Sequence, residues 1–140
     1  MFEGCTSLTS APELPATYLV RECYHSMFNG CTSLASAPKL PATTLEWGCY
    51  SEMFQGCTSL TSAPELPAKE LIRNCYQLMF KDCSKLRYVK ALFTTGPSEE
   101  TTKDWLSGVA ASGTFVKSKN ATWNVTGVHS IPKGWKIETQ

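Results

Sequence analysis

Seven cysteines, two histidines and a serine in each "CTSL" motif are the residues with which this 140-residue chain could do chemistry. The cysteines fall into two series at one fixed interval: Cys5, Cys31, Cys57 and Cys83, then Cys23, Cys49 and Cys75. A zinc site needs four converging ligands, commonly as close CxxC or HxxxH pairs, and no such pair occurs. Disulfides are the stronger rival. On a straight helix, however, Cys23 and Cys31 would stand ~12 Å apart at ~1.5 Å rise per residue, beyond the ~7 Å Cα limit for a bridge. Stacked neighbours ~4.8 Å apart with parallel Cβ vectors also suit a disulfide poorly. Buried free thiols, acting as small apolar side chains, are therefore expected. A nucleophilic cysteine is not, because a residue repeated in every unit follows a packing rule. His25 and His129 lie in different parts of the chain. No Ser, His and Asp fall into a recognised catalytic motif, and the glycines form no phosphate loop. The chain reads as a non-enzyme that needs neither cofactor nor metal.

What repeats these residues is a longer unit. Near-copies of "MFNGCTSL" begin at Met1, Met27, Met53 and Met79, 26 residues apart. A period of this length marks stacked repeats, in which one unit cannot bury its own apolar side. Within the first unit Leu19, Val20, Cys23, Tyr24, Met27 and Phe28 recur at the spacing of a broad amphipathic helical face. Thr17 is a plausible cap and Gly30 a left-handed stop. A helix is therefore expected from about Thr17 to Asn29, with equivalents from Thr43 and Lys69. The half reading "TSLTSAPELP" is expected to give short parallel strands around Leu8, Leu34 and Leu60. Pro12, Pro38 and Pro64, lacking an N–H, should end that ladder.

The motif "MFxGCTSLTSAPELPA", from Met1 to about Leu92, resembles the BspA-like branch of the leucine-rich-repeat family of bacterial surface proteins. The "ECYHSMF"-type segments depart from that family's common form. The expected fold is thus α/β: a leucine-rich-repeat solenoid of about three 26-residue coils, each a short parallel strand plus a helix. Residues 1–92 would form it, with 93–140 as a small α+β C-terminal cap. In that cap Ser98 should open a short helix ending near Gly108, and "GTFVKSK" and "GWKIET" read as strands. Trp105, Phe115, Trp123 and Trp135 would supply its apolar bulk. Trp123 and Trp135 could instead form a sugar platform, although core packing is the commoner role. The sequons at Asn120 and Asn124 are read as chance.

The resemblance implies a secreted or cell-surface module that binds a host or bacterial surface protein or glycan, as an adhesin would. A structural stalk or phage-fibre-like spacer without a ligand of its own is the alternative. The balance of 13 basic and 12 acidic residues excludes the basic footprint of a nucleic-acid binder. No apolar run reaches the ~20 residues of a membrane helix, and no signal peptide opens the chain. The start on a repeat residue suggests a piece of a longer parent protein at the cell surface or outside it. Candidate interaction residues lie on the outward columns. Arg21, Trp47 and Arg73 would stack as cation–π contacts, either as a local stabiliser or as a recognition patch, with His25 and Tyr18 beside them. Glu13, Lys39 and Glu65 alternate in sign, as cross-coil pairs would. The uncovered first coil is expected to pair with its own copy as a two-fold homodimer.

Overall fold

A computed structural model describes all residues, 1–140. The α/β solenoid with a helix in each coil is not what the chain builds. It contains no α-helix, and its only regular elements are three short strands. These are β1 (Tyr88–Ala91), β2 (Thr114–Lys117) and β3 (Lys136–Thr139). They form one parallel sheet in the order β1-β2-β3, with Tyr88 opposite Thr114 and Thr114 opposite Lys136. The expected helix between Ser98 and Gly108 is likewise absent: that segment is a run of turns, with Asp104 at φ 47.

The segments expected to be helices are chains of tight turns. Cys23, His25, Met27, Asn29 and Cys31 each donate their N–H to the carbonyl three residues back. Every fourth residue is left-handed: Glu22, Ser26 and Gly30, then Gly48, Glu52 and Gly56, then Asn74, Leu78 and Asp82. A left-handed residue at that interval interrupts the unbroken right-handed run that a helix requires. The apolar pairs Cys23–Tyr24 and Met27–Phe28 therefore repeat every four residues. Over nine residues that pattern is close to a 3.6-residue stripe.

The alternate N–H groups, freed from any helix, point along the stack. Glu22, Tyr24, Ser26, Phe28 and Gly30 donate to the carbonyls of Trp47, Cys49, Ser51, Met53 and Gln55. Gly48, Tyr50, Glu52, Phe54 and Gly56 repeat this onto Arg73, Cys75, Gln77, Met79 and Lys81. Asn74 through Asp82 continue it onto the segment Glu100–Ser107. The chain is thus a pile of turn layers, each bonded to the next by its backbone.

Between layers the same side chains meet their own equivalents. Phe2, Phe28, Phe54 and Phe80 stack with centroids 5.5–5.6 Å apart. Tyr24, Tyr50 and Tyr76 do so at 5.8 and 6.1 Å, and Trp105 closes that column at 5.9 Å. Leu34, Leu60 and Leu86, with Cys31, Cys57 and Cys83, are fully buried beside them.

The "TSAPELP" halves make only isolated bridges, Ser10 to Ser36, Ser62 to Tyr88 and Leu66 to Ala91. Regular strands begin after the last of the repeated proline pairs, Pro64 and Pro67. "YVKA", "TFVK" and "KIET" supply the β-branched and aromatic residues that suit a pleated, half-buried surface. Parallel pairing runs from β1 to β2 across the position between Leu92 and Phe93. Trp105, Phe115, Trp123, Ile131 and Trp135 are buried at this end of the pile. The indole N–H groups of Trp105, Trp123 and Trp135 donate to the carbonyls of Ser130, Phe93 and Ala110.

Candidate interaction surface

Each repeat carries two prolines around an inward leucine: Pro12-Glu13-Leu14-Pro15, Pro38-Lys39-Leu40-Pro41 and Pro64-Glu65-Leu66-Pro67. Leu14, Leu40 and Leu66 are buried and anchor the segment. Proline has no N–H to give to a neighbouring layer. Between the first two layers no backbone bond joins residues 11–21 to their equivalents. There the layers gape. A cavity of about 470 Å³ opens between Pro12, Pro15, Pro38 and Pro41. A second, of about 390 Å³, lies between Pro38, Pro41, Pro64 and Pro67. Both are lined by Pro38, Lys39 and Pro41, so they lie side by side as a proline-lined groove divided at the second layer.

The charges beside this groove pair differently from the sequence expectation. Glu65 is held by Lys90 Nζ at 3.0 Å, not by Lys39. Lys39 has no carboxylate within ion-pair distance, and Glu13 has no cation. The groove therefore carries one uncompensated positive and one uncompensated negative side chain, both exposed.

The sequence-derived surface residues Arg21, Trp47, Arg73, His25 and Tyr18 line neither of these two cavities. The Arg21 guanidinium sits 4.3 Å from the Trp47 ring centroid, but Arg73 does not extend the stack. Tyr18 is 94% exposed and lines a shallow cavity with Thr17, Thr43, Thr44 and Glu46. His25 is exposed, whereas Ser51, its equivalent one layer on, is buried. Gln77, the next residue of that column, is half-buried, so the column does not present one exposed face. Trp123 and Trp135, each 6% exposed, lie too deep to present a ring face to a sugar.

The cysteines are all free, and five of them are buried. The Cys31, Cys57 and Cys83 thiols donate to the carbonyls of Phe2, Phe28 and Phe54 at 3.0, 3.1 and 3.0 Å. Burial pushes the Cys49, Cys57 and Cys75 thiols up to about 12 and also raises Cys31 and Cys83. Buried thiols of this kind stay protonated at neutral pH and are poor nucleophiles. No three His, Cys, Asp or Glu side chains come together as a metal site.

Two features escaped sequence reasoning. The hydroxyls of Tyr50 and Tyr76 are buried without a partner. Nothing in the sequence separates those two rings from the Phe column. At the far end, the Asp104 N–H donates to His129 Nδ1 at 3.1 Å, and the Thr102 hydroxyl donates to the His129 carbonyl at 2.6 Å. His129 thus covers a turn layer that no further turn layer follows. Comparison with known protein families, with characterised proteins and with solved structures finds no match to this chain.

Proposed function

We propose that this chain is a non-enzymatic interaction module that holds an extended polypeptide segment in its proline-lined groove. The observation that carries this reading is the groove itself. Its two cavities lie side by side over three layers, are walled by proline rings, and present Glu13 and Lys39 with no partner of their own. An extended segment bearing an acidic and a basic side chain is complementary to that pattern. A glycan partner is less well supported, because Trp123 and Trp135, the pair that could form a sugar platform, are buried. The "GCTSL" repeat's resemblance to BspA-like surface proteins supports an extracellular or cell-surface setting. The burial of five thiols suits such a setting, since the thiolate is the species that oxidises.

The test is a charge-varied library of extended peptides, probed with the native chain and with Glu13→Lys and Lys39→Glu variants. The native groove should select peptides carrying both charges, and Lys39→Glu should exchange the selected acidic position for a basic one. Identical selection by all three proteins would sink the groove as the binding site. If nothing binds, the remaining reading is a rigid spacer without a ligand.

A further inference from the structure

Two hydroxyls inside the pile break the rule that an interior polar group finds a partner. The side chains of Tyr50 and Tyr76 are fully buried, and neither hydroxyl makes a hydrogen bond. An orphaned interior hydroxyl keeps the full cost of leaving water. Both belong to the tyrosine column, where their rings stack 6.1 Å apart.

The wall beside that column is the proline side of the pile. The Tyr76 ring lies 6.5 Å from the Phe93 ring. Leu92 and Thr94, on either side of Phe93, donate their N–H groups to the carbonyls of Leu66 and Lys69. Phe93 therefore sits over Pro67 and Ala68, one layer on. Tyr50 and Pro67 each stand 26 residues before Tyr76 and Phe93. The repeat thus gives Tyr50 the place beside Pro67 that Tyr76 has beside Phe93.

The two hydroxyls differ in what closes the wall. Beside Tyr76, backbone bonds from Leu66 to Lys90, from Leu92 to Leu66 and from Thr94 to Lys69 seal the seam. Between the second and third layers no backbone bond joins residues 37–47 to residues 63–73. The cavity of about 390 Å³ opens along that seam, with Leu40, Pro41 and Pro67 in its lining. Pro67 also lines a neighbouring cavity of about 520 Å³, together with Thr43 and Thr44. The seam is open on both sides of Pro67.

We infer that the Tyr50 hydroxyl is a specificity determinant of the groove, met through the Pro41–Pro67 seam by an amide side chain of the bound polypeptide. The inference rests on the extended-polypeptide reading above. A tyrosine hydroxyl both donates and accepts, and so does the amide of Asn or Gln. A charged side chain at that depth would give up its hydration for one neutral hydroxyl. Glu13, Lys39 and Pro67 belong to successive layers. The bound segment therefore carries a basic residue, an acidic residue and an amide, with the acidic one in the middle.

The experiment adds a third varied position to the charge-varied peptide library, and probes it with the native chain and with Tyr50→Phe and Tyr76→Phe. The native chain should enrich Asn or Gln beyond the acidic position by about fivefold, the worth of one neutral hydrogen bond. Tyr50→Phe should lose that enrichment and keep the charge selection. Tyr76→Phe, which removes an equally orphaned hydroxyl behind a sealed seam, should keep both. Charge selection without an amide preference, or a preference that survives Tyr50→Phe, overturns the inference and leaves the groove standing. Loss of charge selection as well takes down the groove reading and this inference together. A second arm needs no peptide. Tyr50→Phe should hold or raise the urea midpoint, because it removes an unpaired interior hydroxyl. A lowered midpoint would mean that the hydroxyl has a partner within the fold, and the inference falls.

Discussion

Leu34 and Trp47 separate the inside of the pile from its surface. Leu34 is fully buried between equivalent leucines and Trp47 is half-exposed under Arg21. Leu34→Ala should cost ~2–5 kcal/mol, because two stacked neighbours cannot collapse into the hole. Trp47→Ala should cost under ~1 kcal/mol. Urea denaturation of the two variants measures both, and equal losses would mean the faces are misassigned. The buried thiols add a pH dependence. Cys49, Cys57 and Cys75 ionise at about 12 in the fold, against an ordinary thiol value of 9.0. Their contribution is complete below pH 9 and declines as the pH rises toward those folded values, because the unfolded chain gives up its protons first. Denaturation midpoints should hold steady from neutrality to about pH 9 and then fall. Cys57→Ala should make that fall shallower, and a midpoint independent of alkaline pH would show that the thiols are not buried.

At the scale of the element, glycine gives the clearest test of turns against helices. Gly48 has φ +61, and an added Cβ would meet the Glu22 side chain at 3.3 Å. In a helix, Gly48→Ala would stabilise by roughly 1 kcal/mol. In a left-handed turn position the same change should destabilise by ~1–2 kcal/mol. The sign of the melting shift decides between the two. The sequence also held this hint. Gly48 and Asn74 stand inside the segments expected to be helical, where glycine is costly and asparagine tends to mark left-handed positions. What hid the turns is that an apolar pair every four residues imitates a helical stripe over so short a span. Glu22, Ser26, Glu52 and Leu78, all at positive φ, carry no local preference that would reveal it. The 26-residue period and the inward Phe, Leu and Cys columns were legible, because in-register stacking demands the same residue in each unit. The groove was only half legible. The prolines were read as ladder-enders, but that the layers would part beside them depends on two prolines per unit acting together. The Arg21–Trp47 contact could be read from column order; its failure to extend to Arg73 could not.

For the whole molecule, order and regular secondary structure are separate properties. The backbone makes 67 internal hydrogen bonds, yet only 6 of them lie within helices or strands. A left-handed residue recurs at every fourth position through the turn layers, so the amide transitions of neighbouring peptides do not add as they do along a helix. A far-UV circular dichroism spectrum of the native chain should look close to that of an unfolded one. Amide exchange should say the opposite, with the backbone between Gly48 and Gly56 protected to the level of global unfolding, because layers cover it on both sides. Rapid exchange there would refute a bonded pile. Anyone judging this protein's foldedness by helical signal alone would discard a well-ordered sample, and near-ultraviolet signal from its stacked tyrosines and buried tryptophans is the better assay.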